Sequence, residues 1–258
     1  MKVRAFSHSF KSYYNPSYGS LFRTTYYVDC NGQYRYTQNS TEVRDDLDYD
    51  ELANLIKTRF SKYDKINILP MNGSDGTESY LIANSILNTI KDNTVKEKIF
   101  PIHVTDVDSA IIENYGQKGV VALKEDDIKA FGSSFDKYFE EINIRLLPYD
   151  ATYSKEAKAF RLKPDFKKLF TFNVQDLQER IQDVNDYGNS VVIIRNCLAE
   201  TFGKDETRNL VSKLSKILHS NSLLVIGGFD RKRLSSLIPD LEYFGFKEVG
   251  KNIFSLNN

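Results

Sequence analysis

Three observations predict an α/β fold in which a mostly parallel sheet is finished by an antiparallel hairpin. From Ile66 onward, short apolar runs alternate with stretches of helical periodicity, the pattern of a sheet covered by helices on both faces. The first run, Ile66 to Met71, breaks into the turn Asn72-Gly73-Ser74-Asp75-Gly76 and then into a helix start. The last two runs, Phe246 to Val249 and Ile253 to Leu256, are separated only by Gly250-Lys251-Asn252, so the final strand is expected to enter antiparallel.

Taken in order, residues 1–65 differ in character from the rest of the chain. They are rich in aromatic residues, with seven tyrosines between residues 13 and 36, and are organised about Asn31-Gly32, a strong hairpin signal that pairs Thr24 to Cys30 with Gln33 to Gln38. The tyrosines suit a pleated, half-buried surface better than a base-stacking platform. Leu52, Leu55, Ile56 and Phe60 then fall at helical spacing. After the turn at Asn72 to Gly76, Ile82, Ile86 and Ile90 recur every four residues and define a second helix. Ile99 to Val104 reads as the next strand, followed by a helix around Ala110 to Tyr115. Gly119 to Arg161 is less regular, with a helix expected over Asp126 to Glu140 and a small extension of short strands after it. Phe170 to Val174, Ser190 to Ile194 and Ser222 to Ile226 continue the sheet. Asp205 is expected to cap the helix carrying Leu210, Val211, Leu214, Ile217 and Leu218. The division expected is a hairpin-and-helix region, 1–65, and a main α/β domain, 66–258.

Composition removes several function classes. Thirty-five basic and 35 acidic residues among 258 balance to zero, so no net charge draws the chain to nucleic acid or an anionic membrane. No apolar run has the length of a membrane span, and the N-terminus lacks the apolar core of a secretion signal, so a cytoplasmic location is expected. Cys30 and Cys197 are too few for a disulfide framework. His8, His103 and His219 are scattered without ligand spacing, and no metal site is expected.

Four polar stretches fall at the carboxyl ends of successive strands, where open α/β sheets bind ligands: Asn72 to Glu78, Asp106, Asn173, and Arg195-Asn196-Cys197-Leu198. The glycine-containing first loop, leading into a helix, presents backbone N–H groups to an anionic group. It makes neither a dinucleotide-binding glycine fingerprint nor a phosphate loop. An aspartate closing the second strand, Asp106, offers acceptors to the two hydroxyls of a ribose, though Asp106 or Asp108 can equally cap the next helix and Asn196 can bond its own turn.

The order and wording of these stretches resemble the chemotaxis protein-glutamate methyltransferases of the CheR type, which depend on S-adenosylmethionine (SAM). Gly76-Thr77-Glu78-Ser79-Tyr80 is similar to that family's Gly-Glu-Glu-Pro-Tyr-Ser, Thr105-Asp106-Val107-Asp108 to its Thr/Ser-Asp-Ile-Asp, Asn173-Val174 to its Asn-Leu-Leu, and Arg195-Asn196-Cys197-Leu198 to its Arg-Asn-Val-Leu. The likeness runs from about Ile66 to the C-terminus and implies a Rossmann-like methyltransferase domain. It also implies SAM contacts from Glu78, Asp106, Asn173 and Asn196, with Asp106 on the ribose. Asn72, Gly73, Gly76 and Cys197 complete the expected cofactor site. Leu21-Phe22-Arg23 resembles the end of the family's Thr-x-Phe-Phe-Arg, which makes Arg23 the expected catalytic residue, orienting an acceptor carboxylate through its planar fork. The implied acceptor is a receptor-like protein glutamate. Two departures keep other readings open: Met71-Asn72 stands where the family has two small residues, and Ala199-Glu200-Thr201-Phe202 lacks the family's tyrosine. The alternatives are a SAM-binding regulatory protein without transfer activity and a methyltransferase with a small-molecule acceptor.

Overall fold

The computed structural model describes residues 45–143, 157–183 and 188–256, and in the N-terminal part the backbone of three strands, β1 (Lys11–Ser12), β2 (Arg23–Val28) and β3 (Tyr34–Asn39). β2 pairs antiparallel with both β1 and β3, as the hairpin signal requires, with Arg23 opposite Asn39. The Asn31-Gly32 turn itself, Cys30, and residues 144–156 lie outside the described residues.

The remaining strands are β4 (Asn67–Met71), β5 (Ile102–Asp106), β6 (Val120–Leu123), β7 (Phe139–Glu141), β8 (Lys158–Leu162), β9 (Phe170–Val174), β10 (Ser190–Ile194), β11 (Leu223–Ile226), β12 (Phe246–Gly250) and β13 (Ile253–Leu256). Seven of them form one sheet in the order β12-β13-β11-β10-β4-β5-β9. The pairs β11–β10, β10–β4, β4–β5 and β5–β9 are parallel, and β13 runs antiparallel to both β11 and β12. The first strand of the alternating region therefore lies at the centre. Chain order runs outward from β4 through β5 to β9 on one side and restarts at β10 on the other. A crevice opens at such a reversal, beyond the carboxyl ends of the strands.

Both faces of the sheet are buried, which is why its central strands read as unbroken apolar runs. Side chains alternate between faces along each strand. Ile68, Val191 and Ile193 join one core with Leu52, Ile56 and Phe60 of the helix Tyr49–Phe60 and Ile82 and Ile86 of the helix Thr77–Thr89. Leu69, Met71, Val192 and Ile194 join the other with Leu210, Val211 and Leu214 of the helix Gly203–Ile217 and Leu241 of Leu237–Tyr243. Asp48 starts the helix Tyr49–Phe60 by accepting from the N–H groups of Asp50 and Glu51. Asp205 does not play this part in its helix, which begins two residues earlier, at Gly203.

A second sheet, β6-β8-β7, is antiparallel and lies in the irregular stretch; short strands were expected there only after Glu140, which holds for β8, whereas β6 precedes the expected helix and β7 begins within it. The expected helix Asp126 to Glu140 is broken there. It ends at Ala130; Gly132 adopts φ 59°, a single turn Phe135–Tyr138 comes next, and Phe139 enters β7. Tyr80 ties this sheet to the main one, packing its ring against Phe139, Phe166, Phe170 and Phe172, with Phe170 closest at 4.9 Å between centroids.

Candidate functional site

The loop after β4 is built on backbone that most residues avoid. Asn72 and Ser74 have φ of 65° and 51°, and Gly76 has φ 95°. Asn and Gly are the residues that adopt this region at least cost. A side chain on Gly73 would place its Cβ 2.3 Å from Val104 Cγ1, and one on Gly76 would meet Phe172 and the Tyr80 hydroxyl at 2.7 Å. Within the loop Gly76 N–H donates to Gly73 O at 3.0 Å, and the Tyr80 hydroxyl donates to Asp75 O at 3.1 Å. The aromatic cluster that holds Tyr80 therefore also holds the loop.

Asp75 stands two residues before the helix Thr77–Thr89, whose N-cap is Gly76, and its Oδ1 accepts from Thr77 N–H at 2.9 Å. Its carboxyl group is buried, and burial, reinforced by Asp127 and Asp106, pushes its pKa up to about 7. The Oδ2 of Asp75 and the hydroxyls of Ser74 and Ser79 are buried and have no partner among the described residues.

Asp106, at the end of β5, sews two loops together. Its Oδ2 accepts from Ser74 N–H and its Oδ1 from Asp108 N–H, both at 2.9 Å. Burial raises its pKa to about 6. Asp108 caps the turn Ser109–Ile111 through the N–H groups of Ala110 and Ile111. Asn173 stands opposite Thr105 in β9, the sheet edge, and is exposed.

Arg195, immediately after β10, lies between two carboxylates, pairing with Asp46 and with Glu78 from the first turn of the helix Thr77–Thr89. Asp46 reaches this point from the segment before the helix Tyr49–Phe60. Its Oδ2 accepts from Gly228 N–H and its carbonyl from the Asn252 side chain at 2.7 Å. Asn196, at φ 57°, bonds not its own turn but the next strand's loop, accepting from Phe229 N–H at 3.0 Å. Asp230, fully buried, accepts from Cys197 N–H at 3.1 Å and Ala199 N–H at 2.9 Å. Its pKa is pushed up to about 6 by burial.

The model of the CheR methyltransferase SAM-binding domain matches residues 38–236, well over half of the chain. The chain belongs to the CheR methyltransferase family. It is a SAM-dependent methyltransferase, with S-adenosylmethionine as cofactor. Spermidine synthase from Thermotoga maritima is similar in structure at a TM-score of 0.40 and 10% identity, over 95% of this chain and 70% of that one. Spermidine synthase in complex with the transition-state analogue AdoDATO gives 0.39 and 9%, over 95% and 69%. At these scores neither likeness bears on the function. No curated protein sequence matches the chain.

The strand ends fit the CheR cofactor. A buried hydroxyl or carboxylate oxygen without a partner costs about 1–3 kcal/mol, which the polar groups of a bound amino-acid nucleoside would offset. Ser74, Asp75 and Ser79 supply three such atoms around one loop. The expected residues Asn72, Gly73, Gly76, Glu78 and Asp106 gather at the ends of β4 and β5, and Asn196 and Cys197 at the end of β10, joined to them through Arg195 and Glu78. Asn173 lies on the edge strand, opposite Thr105 and one register position before Asp106. Arg23 opens β2, and the CheR match begins after it. Asp46, Asp75 and Asp230 were not singled out by sequence. Asp75 stood within the recognised loop, whereas the other two are single carboxylates in no motif. Among the described residues no helix is long and apolar enough to cross a membrane, and no three His, Cys, Asp or Glu side chains form a group that could hold a metal ion.

Proposed function

We propose that this CheR family member methylates a carboxylate, a glutamate side chain of a receptor-like protein, at the crevice beyond β4, β5 and β10. The observation that carries the reading is the loop Asn72 to Glu78 at the sheet's reversal point, with buried polar atoms awaiting partners beside the Arg195 ion pairs. The CheR match supports the choice of acceptor. SAM supplies a methyl group made electrophilic by its sulfonium. A carboxylate acceptor is already ionised at neutral pH, so the chain need not provide a general base. Its residues instead bind, orient and exclude water, holding the reacting atoms in line.

In this reading Asn72, Gly73, Gly76 and Glu78 receive the methionine end of the cofactor. Asp106 lies towards the ribose, and Asn173, Asn196 and Cys197 complete the wall. The strands of the N-terminal region form a cover on the acceptor side, since β3 lies beside the helix Leu198–Thr201 that succeeds β10. Arg23 orients the acceptor. Arg44 competes for that role, because it falls within the family match and precedes Asp46 by two residues. The reading places the protein in the cytoplasm, in a chemotaxis pathway.

A second reading, a SAM-binding regulatory protein without transfer, is favoured by the segment after Cys197. No tyrosine stands there, and Phe202 is buried in the second core. Incubation with methyl-labelled SAM and chemoreceptor cytoplasmic fragments separates the readings. Base-labile label on the receptor, lost in the R23A or R44A variant, is the expected result. SAM binding with no label on receptor or on any small carboxylate would establish the second reading.

A further inference from the structure

The loop after β4 gathers more acid than its partners in the protein account for. Three carboxyl groups lie in or beside it, and two of them are matched. Glu78 has its charge met by Arg195. Asp106 has an N–H group on each oxygen, Ser74 on Oδ2 and Asp108 on Oδ1. Asp75 differs: Oδ1 accepts from Thr77 N–H, while Oδ2 is buried and has no partner among the described residues.

The charges that bear on Asp75 are both acidic, Asp127 from the helix Glu125–Ala130 and Asp106 from β5. The Tyr80 hydroxyl is engaged with the Asp75 carbonyl. An ionised carboxylate is costly in such a place, and burial holds the group partly protonated near neutrality, with its pKa pushed up to about 7. What it lacks is a cation. The donor set among the described residues is not that of a metal site, whereas an ammonium brings three N–H donors and a single charge.

We propose, on the reading that SAM binds at the β4 loop, that Asp75 is the residue that takes the α-ammonium of the cofactor's amino-acid end, with Oδ2 as the acceptor. Binding then drives a proton off: the carboxyl O–H bond breaks, the proton leaves to solvent, and the carboxylate left behind pairs with the ammonium. The empty loop is spared a buried charge, which appears only when its partner arrives. SAM and S-adenosylhomocysteine carry the same ammonium and are held alike by this contact. A nucleoside without the amino-acid end is not.

Calorimetric titration of the full chain at about pH 6.5, in buffers of high and low ionisation enthalpy, reads the protons released per ligand bound. The probes are SAM, S-adenosylhomocysteine and 5′-methylthioadenosine, a neutral nucleoside that lacks the amino-acid end. At that pH an α-amino group is already an ammonium and Asp75 is mostly protonated, so the wild type is expected to release more than about half a proton with SAM and with S-adenosylhomocysteine, and none with 5′-methylthioadenosine. Asp75→Asn is nearly isosteric and keeps an acceptor for Thr77 N–H. It is expected to release less than half as much and to weaken SAM and S-adenosylhomocysteine about tenfold at neutral pH, with 5′-methylthioadenosine within about twofold, a tenfold change being about 1.4 kcal/mol. Equal loss for all three ligands, the mark of a merely structural role, overturns the proposal. So does a wild type that releases no proton with SAM, or as many with 5′-methylthioadenosine, and these two outcomes are read without any variant. A wild type that binds none of the three refutes the cofactor site itself, and the role of Asp75 falls with it.

Discussion

The two loops that flank the centre of the sheet handle their polar groups in opposite ways. After β10, the polar groups of the loop other than Arg195 Nε are largely paired within the protein. Asn196 bonds Phe229, Asp230 holds Cys197 and Ala199, and Arg195 has two carboxylates. After β4, the backbone is just as constrained, yet Ser74 and Asp75 keep buried side-chain atoms without partners among the described residues. Rigid framing is common to both; the loop after β10 leaves over one buried donor, Arg195 Nε, whereas the loop after β4 leaves over a hydroxyl and a carboxylate oxygen. That distinguishes a scaffold from a ligand cradle better than the glycine content of either.

The largest effect expected from breaking this contrast is a pH dependence. Asp75 has a folded-state pKa of about 7 against an ordinary value of 3.8, so between those limits the folded state holds a proton that the unfolded chain has released. Its contribution is intact below about pH 4 and is lost as pH rises through 7, by about 4 kcal/mol in the limit. Urea unfolding of the cofactor-free protein across pH 4 to 8 should show this decline. Asp75→Asn should flatten it while leaving the smaller contributions of Asp106 and Asp230, which run in the same direction.

On the paired side, Asp230→Ala strips two buried N–H groups of their acceptor and is expected to cost about 3 kcal/mol, read as a lower urea midpoint at unchanged slope. Gly73→Ala drives a methyl group into Val104 and should cost about 2 kcal/mol, with a loss of SAM affinity because the loop must move. The smallest change in stability should come from Ser74→Ala. Removing a hydroxyl that has no partner among the described residues leaves stability within about 0.5 kcal/mol, while SAM affinity measured by calorimetry falls several-fold. If Ser74→Ala left SAM binding untouched, the two loops would differ in packing and not in function.

Much of this was legible in the chain because it is local. The run Ile66 to Met71 read as a strand of a sheet covered on both faces, and Asn72 to Gly76 as the turn into a helix; that this turn runs through left-handed backbone is a finding of the structure. The antiparallel entry of β13 came from a three-residue gap. The helix expected over Asp126 to Glu140 failed for an instructive reason. Phe131, Phe135 and Phe139 recur every four residues as on a helix face, yet what spaces them is a ring cluster that includes Phe160 of β8. Periodicity records which residues are buried, and a cluster assembled from a helix, a turn and a strand buries them as well as one helix does. Asp106 was found for its place at a strand end, but its bond to Ser74 depends on two strands lying side by side.

Sequence by itself determined the alternation of elements, the loops that close each strand and the family that uses them, because strand and helix periods and turn chemistry act over a few residues. Tertiary structure alone decided where the charges went. Asp46 and Arg195 are 149 residues apart, in stretches with many carboxylates to choose from, and no local rule selects one of them. The choice was made by the sheet order, which set β10 beside β4 and brought the segment before the helix Tyr49–Phe60 over both. A buried guanidinium needs opposite charge within reach, and only the folded chain fixes which carboxylate is there.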